Sequence, residues 1–442
     1  MHTLERLRRG ELAGVTRLDL SEGLTEFPRE IFTLAGSLEV LNLSGNRLSS
    51  LPDDLPRLHR LRILFCSDNR FSEVPSVLGD CAELEMVGFK ANDIHSLPAT
   101  ALPPKLRWLI LTDNQLKQLP EEIGRCQRLQ KLMLAGNRLR ALPKTLANCR
   151  RLELLRIAAN HLPSLPAWLL TMPRLSWLAF AGNPFSDTIE AAALAQHPIP
   201  PIAREHIVFG EVLGQGASGI IHRAEWQPPA QATKAMAAKL FKGSLTSDGL
   251  PHSEMAACIA AGEHPSLIRI AGPLADRDDA PPGLLMELID PSFHVLASPP
   301  SLASCTRDCY APQQRFDAEQ VLKIAASVAN GMQHLHARGI LHGDLYGHNL
   351  LVDPSGRTLL SDFGAASFHD PLDDEGQALQ RLEARAFGYL LEELLERCED
   401  VERNPRLQQL SALRQQCLLD TPLQRPDFGS LVSEINAIGN RP

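Results

Sequence analysis

No run of about 18 uninterrupted apolar residues occurs in this sequence, which removes the ordinary signal of a membrane-spanning helix. The first ten residues carry Arg6, Arg8 and Arg9 with no apolar stretch behind them, so a secretory leader is not expected either. A soluble, cytoplasmic protein without a membrane partner is the expectation. A basic excess is missing as well: residues 1–200 hold 24 Lys and Arg against 21 Asp and Glu, net +3, and residues 201–442 hold 20 against 31, net −11. Neither half offers the positive surface that nucleic-acid phosphates demand, so no nucleic-acid partner is expected. The nine cysteines are an odd number, and Cys81, Cys126 and Cys149 fall at one position of a repeated pattern where Leu58 and Met172 stand elsewhere. They read as small buried apolar residues, not as disulfides or metal ligands. With 442 residues, 44% of them hydrophobic, and a mean hydropathy of −0.11, the chain is long enough for two folded domains.

What is present in the first half is a repeat. Asn46, Asn69, Asn92, Asn114, Asn137, Asn160 and Asn183 follow one another at 23, 23, 22, 23, 23 and 23 residues, each behind a pattern such as Leu38-x-x-Leu41-x-Leu43-x-x-Asn46. That spacing is a solenoid period. The segments Asn-x-Leu-x-x-Leu-Pro at Asn46–Pro52, Asn114–Pro120 and Asn137–Pro143, with a shortened copy at Leu18–Pro28, make the resemblance to leucine-rich repeats specific. Each Leu-x-Leu is expected to be a short strand with its leucines inward. Each Asn is expected to bond backbone where the chain turns, and neighbouring units bury what one cannot bury alone. Leu4–Ala13 and Thr188–Gln196 read as helical caps. Strand residues between the core leucines should face the concave side, where Ile63, Phe65, Met86, Trp108, Ile110, Met133 and Trp177 would form an apolar stripe. Left exposed, such a stripe is a face for a protein partner; alternatively the second half or a cap covers it.

His197-Pro-Ile-Pro-Pro-Ile202 is a stiff connector. After it, Leu213-Gly214-Gln-Gly216-Ala-Ser-Gly219-Ile-Ile221 contains a Gly-x-Gly-x-x-Gly loop of the kind that lets backbone amides approach phosphate, a weak signal alone. An ordered series strengthens it. Met236-Ala-Ala-Lys239 is followed by Glu254, with Glu263 as a neighbouring alternative, and by Leu284-Leu-Met286-Glu287-Leu288. Then come His342-Gly-Asp344-Leu-Tyr-Gly-His-Asn349 and Asp362-Phe-Gly364. This series resembles the protein-kinase family across nearly all of residues 205–440.

By that resemblance, Lys239 paired with Glu254 holds the α- and β-phosphates of ATP, and Leu213, Gly214, Gly216, Gly219 and Ile221 cover the nucleotide. Backbone groups at Glu287 and Leu288 meet adenine, Asn349 and Asp362 hold Mg2+, and Asp344 is the base facing the acceptor hydroxyl. The expected fold is an α/β leucine-rich-repeat solenoid over residues 1–197, a Pro-rich linker over 198–204 and an α+β bilobal protein-kinase-like domain over 205–440. A Ser/Pro-rich stretch, Pro291–Gln314, reads as a surface loop.

Three departures qualify the resemblance. Gly343 stands where the family has the arginine that engages a phosphorylated activation segment, so the catalytic loop is of the non-RD kind. Tyr346 stands where serine/threonine kinases place a phosphate-contacting lysine, and neither it nor His348 supplies an equivalent permanent charge. Glu383, read as the start of a helix, follows Asp362 by only 21 residues, with no Ala-Pro-Glu motif between them, so the platform for a peptide is missing and Arg425 lacks its family partner. The reading is a bacterial-type leucine-rich-repeat protein kinase using ATP and Mg2+ on serine or threonine ahead of tyrosine, with a protein recruited on the concave face. The alternatives are a nucleotide-binding pseudokinase scaffold and a small-molecule kinase.

Overall fold

The computed structural model describes residues 3–196, 198–216, 218–243, 245–277 and 280–439. They pack as two compact units, Met1–Arg174 and Leu175–Pro442. The division falls ahead of the last repeat strand, so that strand and the helix after it group with the second unit.

In the first unit a short helix α1 (Thr3–Arg8) precedes seven three-residue strands, β1 (Arg17–Asp19), β2 (Val40–Asn42), β3 (Ile63–Phe65), β4 (Met86–Gly88), β5 (Trp108–Ile110), β6 (Lys131–Met133) and β7 (Leu154–Arg156). All pair in parallel and in step, Val40 against Ile63, Ile63 against Met86, Met86 against Trp108. The central residues Leu18, Leu41, Leu64, Val87, Leu109, Leu132 and Leu155 are buried, as the repeat requires. Single turns of 3-10 helix, several opened by proline, return the chain on the other side. The asparagines bond backbone as expected. Asn137 accepts from the Leu116 amide at 3.0 Å and donates to the carbonyls of Leu111 at 2.8 Å and Leu134 at 3.0 Å. Asn137→Ala strands the buried Leu116 amide, while the Leu111 and Leu134 carbonyls keep a second donor in Asn114 and Asn160. The expected cost is about 1–3 kcal/mol, read as a lower urea midpoint at unchanged slope.

Cys81, Cys126 and Cys149 are buried, and burial pushes their thiols up to about 11, 11 and 12.

The concave stripe is not the open surface expected. Ile63, Met86 and Met133 are buried, and only Phe65, Trp108 and Ile110 are half-exposed. The side chains fill one another's space. Phe65 and Ile110 close over Gly88, the Trp108 indole N–H lies 3.4 Å from the Met133 sulfur, and the Lys131 ammonium sits 4.6 Å above the Trp108 ring. Trp177 is also buried and lies in the second unit.

The second unit opens with β8 (Trp177–Ala179) and α2 (Pro184–Gln196). A five-stranded antiparallel sheet follows, built from β9 (Ile207–Gln215), β10 (Gly219–Trp226), β11 (Lys234–Phe241), β12 (Ile270–Pro273) and β13 (Gly283–Glu287) in the order β12-β13-β11-β10-β9. Helix α3 (Pro251–Ala261) packs beside it. The stretch 198–204 is not a free spacer: the Ile202 amide donates to Pro273 O at 2.8 Å, Ile202 O accepts from Ala275 at 2.8 Å, and Ile202 joins the core of the sheet.

Beyond the sheet lie β14 (His294–Val295), helix α4 (Ala318–Ala337), β15 (Ile340–Leu341), β16 (Leu350–Val352), β17 (Thr358–Leu360) and β18 (Ser367–Phe368), then helices α5 (Asp374–Leu395), α6 (Pro405–Cys417) and α7 (Phe428–Gly439). Asp317 and Gln320 cap α4 reciprocally, each side chain bonding the other's amide at 2.8 and 3.1 Å. α5 begins at Asp374, so Glu383 sits in mid-helix and not at its start. Gly376 there is obligatory, since a Cβ would meet Asp370 O at 1.8 Å.

Candidate active site

The ladder sets Lys239 on β11 between Ile221 and Leu284, its partners on the flanking strands, and its ammonium pairs with Glu254 on α3. Glu263, the other candidate, is exposed and pairs with Arg269 at 2.7 Å. Burial opposes charge on Lys239, but Glu254 and Asp362 outweigh it and raise its pKa, so the ammonium is held charged. Between Lys239, Glu254, Met286, Asp362 and Phe363 lies a cavity of about 80 Å³. That is too small for a nucleotide.

The loop over Leu213–Ile221 closes on itself through Gly216 N to Gly219 O at 2.9 Å; Ala217 lies outside the described residues. Gly219 is demanded by the protein, because a Cβ would meet Leu240 O at 2.5 Å. Gly214 and Gly216 are not, since a Cβ at either meets nothing within 4 Å. The space above them suits a phosphate approached by backbone. Leu213 is exposed at 45% and Ile221 half-buried. At the opposite edge the Glu287 amide donates to Arg269 O at 2.9 Å.

Asp344, Asn349 and Asp362 converge from two turns. Asn349 Nδ2 donates to Asp344 Oδ2 at 2.7 Å and to Asp344 O at 2.9 Å, which turns the amide oxygen away from Asp344. Asp362 adopts a left-handed φ of 56° and accepts from the Gly364 amide at 3.1 Å. A carboxylate and an amide oxygen are the hard ligands Mg2+ takes when phosphates supply the rest, so the donor set fits that ion. Left-handed backbone at a non-glycine residue costs about 1–3 kcal/mol and persists where surrounding structure imposes it. Here His342 does so, bonding Ser361 O at 3.1 Å with its ring 5.1 Å from that of Phe363.

Glu383 anchors this loop. It accepts from the amides of Gly343 at 2.6 Å and His342 at 3.2 Å and from His336 at 2.7 Å. Gly343 itself has a φ of 73°, and a Cβ there would meet Ala365 O at 2.2 Å and Leu178 O at 3.0 Å, so no arginine fits. Arg425 takes backbone carbonyls, Leu419 O at 2.8 Å and Arg381 O at 3.2 Å, in the role of the missing glutamate.

The family described as protein tyrosine and serine/threonine kinase matches residues 207–385, and leucine-rich-repeat families match 37–58 and 104–162. The chain carries leucine-rich repeats followed by a protein-kinase domain. The kinase domain is similar to fibroblast growth factor receptor 1 of Xenopus laevis, 26% identical over 196 residues, 42% of this chain and 24% of that one. A probable serine/threonine-protein kinase of Arabidopsis thaliana is 29% identical over 109 residues, 25% of this chain and 17% of that protein. A serine/threonine-protein kinase of Mus musculus is 26% identical over 177 residues, 39% of this chain and 19% of that protein. The matched stretches thus span a quarter or less of these relatives.

One part of the kinase domain escaped the sequence. Pro291–Gln314 is no loose surface loop: β14 pairs with β16, Ser298 bridges Cys309, and Asp308 is buried against the catalytic loop. Asp308 accepts from His348 twice, from the ring at 2.7 Å and the amide at 3.0 Å, while its own amide donates to Glu393 at 3.3 Å and Tyr310 OH donates to Glu393 at 3.1 Å. A lone aspartate in a Ser/Pro-rich stretch carries no signal of this. Burial, then the charge of Asp308, push the Glu393 carboxyl up to about 7 from an ordinary 4.5. Between those values the folded chain keeps a proton that the unfolded chain releases, so this group makes stability fall as pH rises from about 4.5 to about 7. Glu393→Gln, which resembles the protonated acid, is expected to flatten that slope and to be the more stable form at pH 8, read by urea midpoints across the range.

Proposed function

We propose that the kinase domain transfers the γ-phosphoryl group of ATP to a serine or threonine hydroxyl of a protein recruited by the repeats. The observation that carries this reading is that the Lys239–Glu254 pair and the Asn349–Asp344 bond are both made, with Asp362 close enough to raise the Lys239 pKa. Mg2+ held by Asn349 and Asp362 would neutralise charge on the phosphates. Lys239, kept charged, faces the α- and β-phosphates. The amides of the Gly214–Gly219 loop cover them from above, between the sheet lobe and the helical lobe. Asp344 orients the acceptor hydroxyl and takes its proton as the phosphoryl group leaves ADP. Of the concave residues, Phe65, Trp108 and Ile110 are those that a protein partner could reach.

The pseudokinase reading is favoured by one feature, the covering of Tyr346 beside Asp344, since Tyr346 is only 5% exposed. Incubation with γ-labelled ATP and Mg2+ separates the two. Label on protein with the intact chain but not with Asp344→Asn or Lys239→Met supports the kinase, whereas thermal shifts with ATP and no transfer by any form would overturn it.

A further inference from the structure

Within the second unit, the last repeat strand and its helix pack on the loop that bears Asp344 and on the strand after Asp362. Trp177 on β8 is 1% exposed. Its indole N–H donates to Leu345 O at 2.9 Å, and its ring stacks on Tyr346 with centroids 4.1 Å apart and planes 8° from parallel. Tyr389 of α5 stacks on the same indole at 5.6 Å. The Phe180 amide donates to Ser367 Oγ at 2.9 Å, fixing the strand that follows Asp362-Phe-Gly364. Leu178 O takes up room beside Gly343 that an arginine side chain would need. Farther along, α2 packs on α3, and its Leu194 joins the apolar cluster of Ile259, Met255 and Met286 that seats Glu254.

Resting on the kinase reading above, we propose that Leu175–Gln196 replaces the activation segment. Trp177 and Phe180 are positioning residues that hold the loop bearing Asp344 and Asn349, and α2 holds α3 so that Glu254 stays paired. A permanent brace removes the need for a phosphate to organise the site, so transfer proceeds without phosphorylation of the chain. The catalytic module accordingly begins at the last repeat.

The test uses the full chain stripped with a phosphatase, with phosphate transfer from γ-labelled ATP and hydrogen exchange of amides 342–349 as readouts. Trp177→Ala is expected to lower kcat roughly 100-fold, as displacement of a catalytic group by about 1 Å does, with KM for ATP unchanged and faster exchange in that loop. Trp177→Phe keeps the stack, loses the donor and should restore kcat to within roughly tenfold. Leu109→Ala, in the core of the first unit, should lower the melting temperature with kcat intact, which separates positioning from general stability. The proposal is overturned if phosphatase treatment silences the intact chain, or if Trp177→Ala behaves like Leu109→Ala. Should Trp177→Ala not fold, Trp177→Phe decides, and full kcat with native exchange sinks the idea. If the intact chain transfers no phosphate, the catalytic reading fails, and the brace stands or falls on hydrogen exchange alone, equal exchange in both forms refuting it.

Discussion

Asp344→Asn is expected to reduce phosphate transfer by roughly 10²- to 10⁴-fold, the range a positioned proton acceptor contributes. The substitution keeps shape and leaves an oxygen to accept the Asn349 amide, now at 2.7 Å from Asp344 Oδ2. What it removes is the charge proposed to receive the hydroxyl proton. Nucleotide affinity should stay near that of the intact chain, because on the proposed reading Lys239, Glu254 and the glycine loop hold the other end of the substrate. A thermal shift with ATP that survives while label transfer vanishes is the expected pair of results. Equal transfer by both forms would remove Asp344 from the mechanism.

Glu383→Ala is expected to destabilise the kinase domain by about 3–5 kcal/mol, the loss typical of breaking a buried charged pair. Burial by itself would raise this carboxyl, but the bond from His336, the charges of His336 and His342 and the Gly343 amide hold it below the ordinary carboxylate range. Alanine leaves His336 and two buried amides facing a void, each unsatisfied group costing about 1–3 kcal/mol. The denaturant midpoint of the kinase domain should fall at unchanged slope, and kcat with it, since those amides flank Asp344. Glu383→Gln retains an acceptor and should lose less. A variant as stable as the native chain would show that the catalytic loop is held elsewhere.

Much of this was legible in order and spacing. The 23-residue period dictates strand, turn and asparagine bond because each is a local requirement repeated along the chain. Lys239, Glu254, Asp344, Asn349 and Asp362 could be named from their sequence alone, since each stands in a short pattern, and the pairs Lys239–Glu254 and Asn349–Asp344 form as that order implies. Glu383 was visible as a substitute aspartate, though its helix begins nine residues earlier than its position suggested, at Asp374. Asp308, Tyr310 and Glu393 were not visible, because their contacts span 40 to 85 residues and no pattern links them.

The sequence by itself determined the repeat, its inward leucines and the kinase motifs, all written in local periodicity and pattern. Only tertiary structure decided which outward residues remain outside. Ile63, Met86 and Met133 are buried, and Trp177 stacks on Tyr346, 169 positions on in the numbering and 4.1 Å away in space. A strand residue's facing follows from period, but its burial follows from what else arrives there, and that is a property of the folded whole.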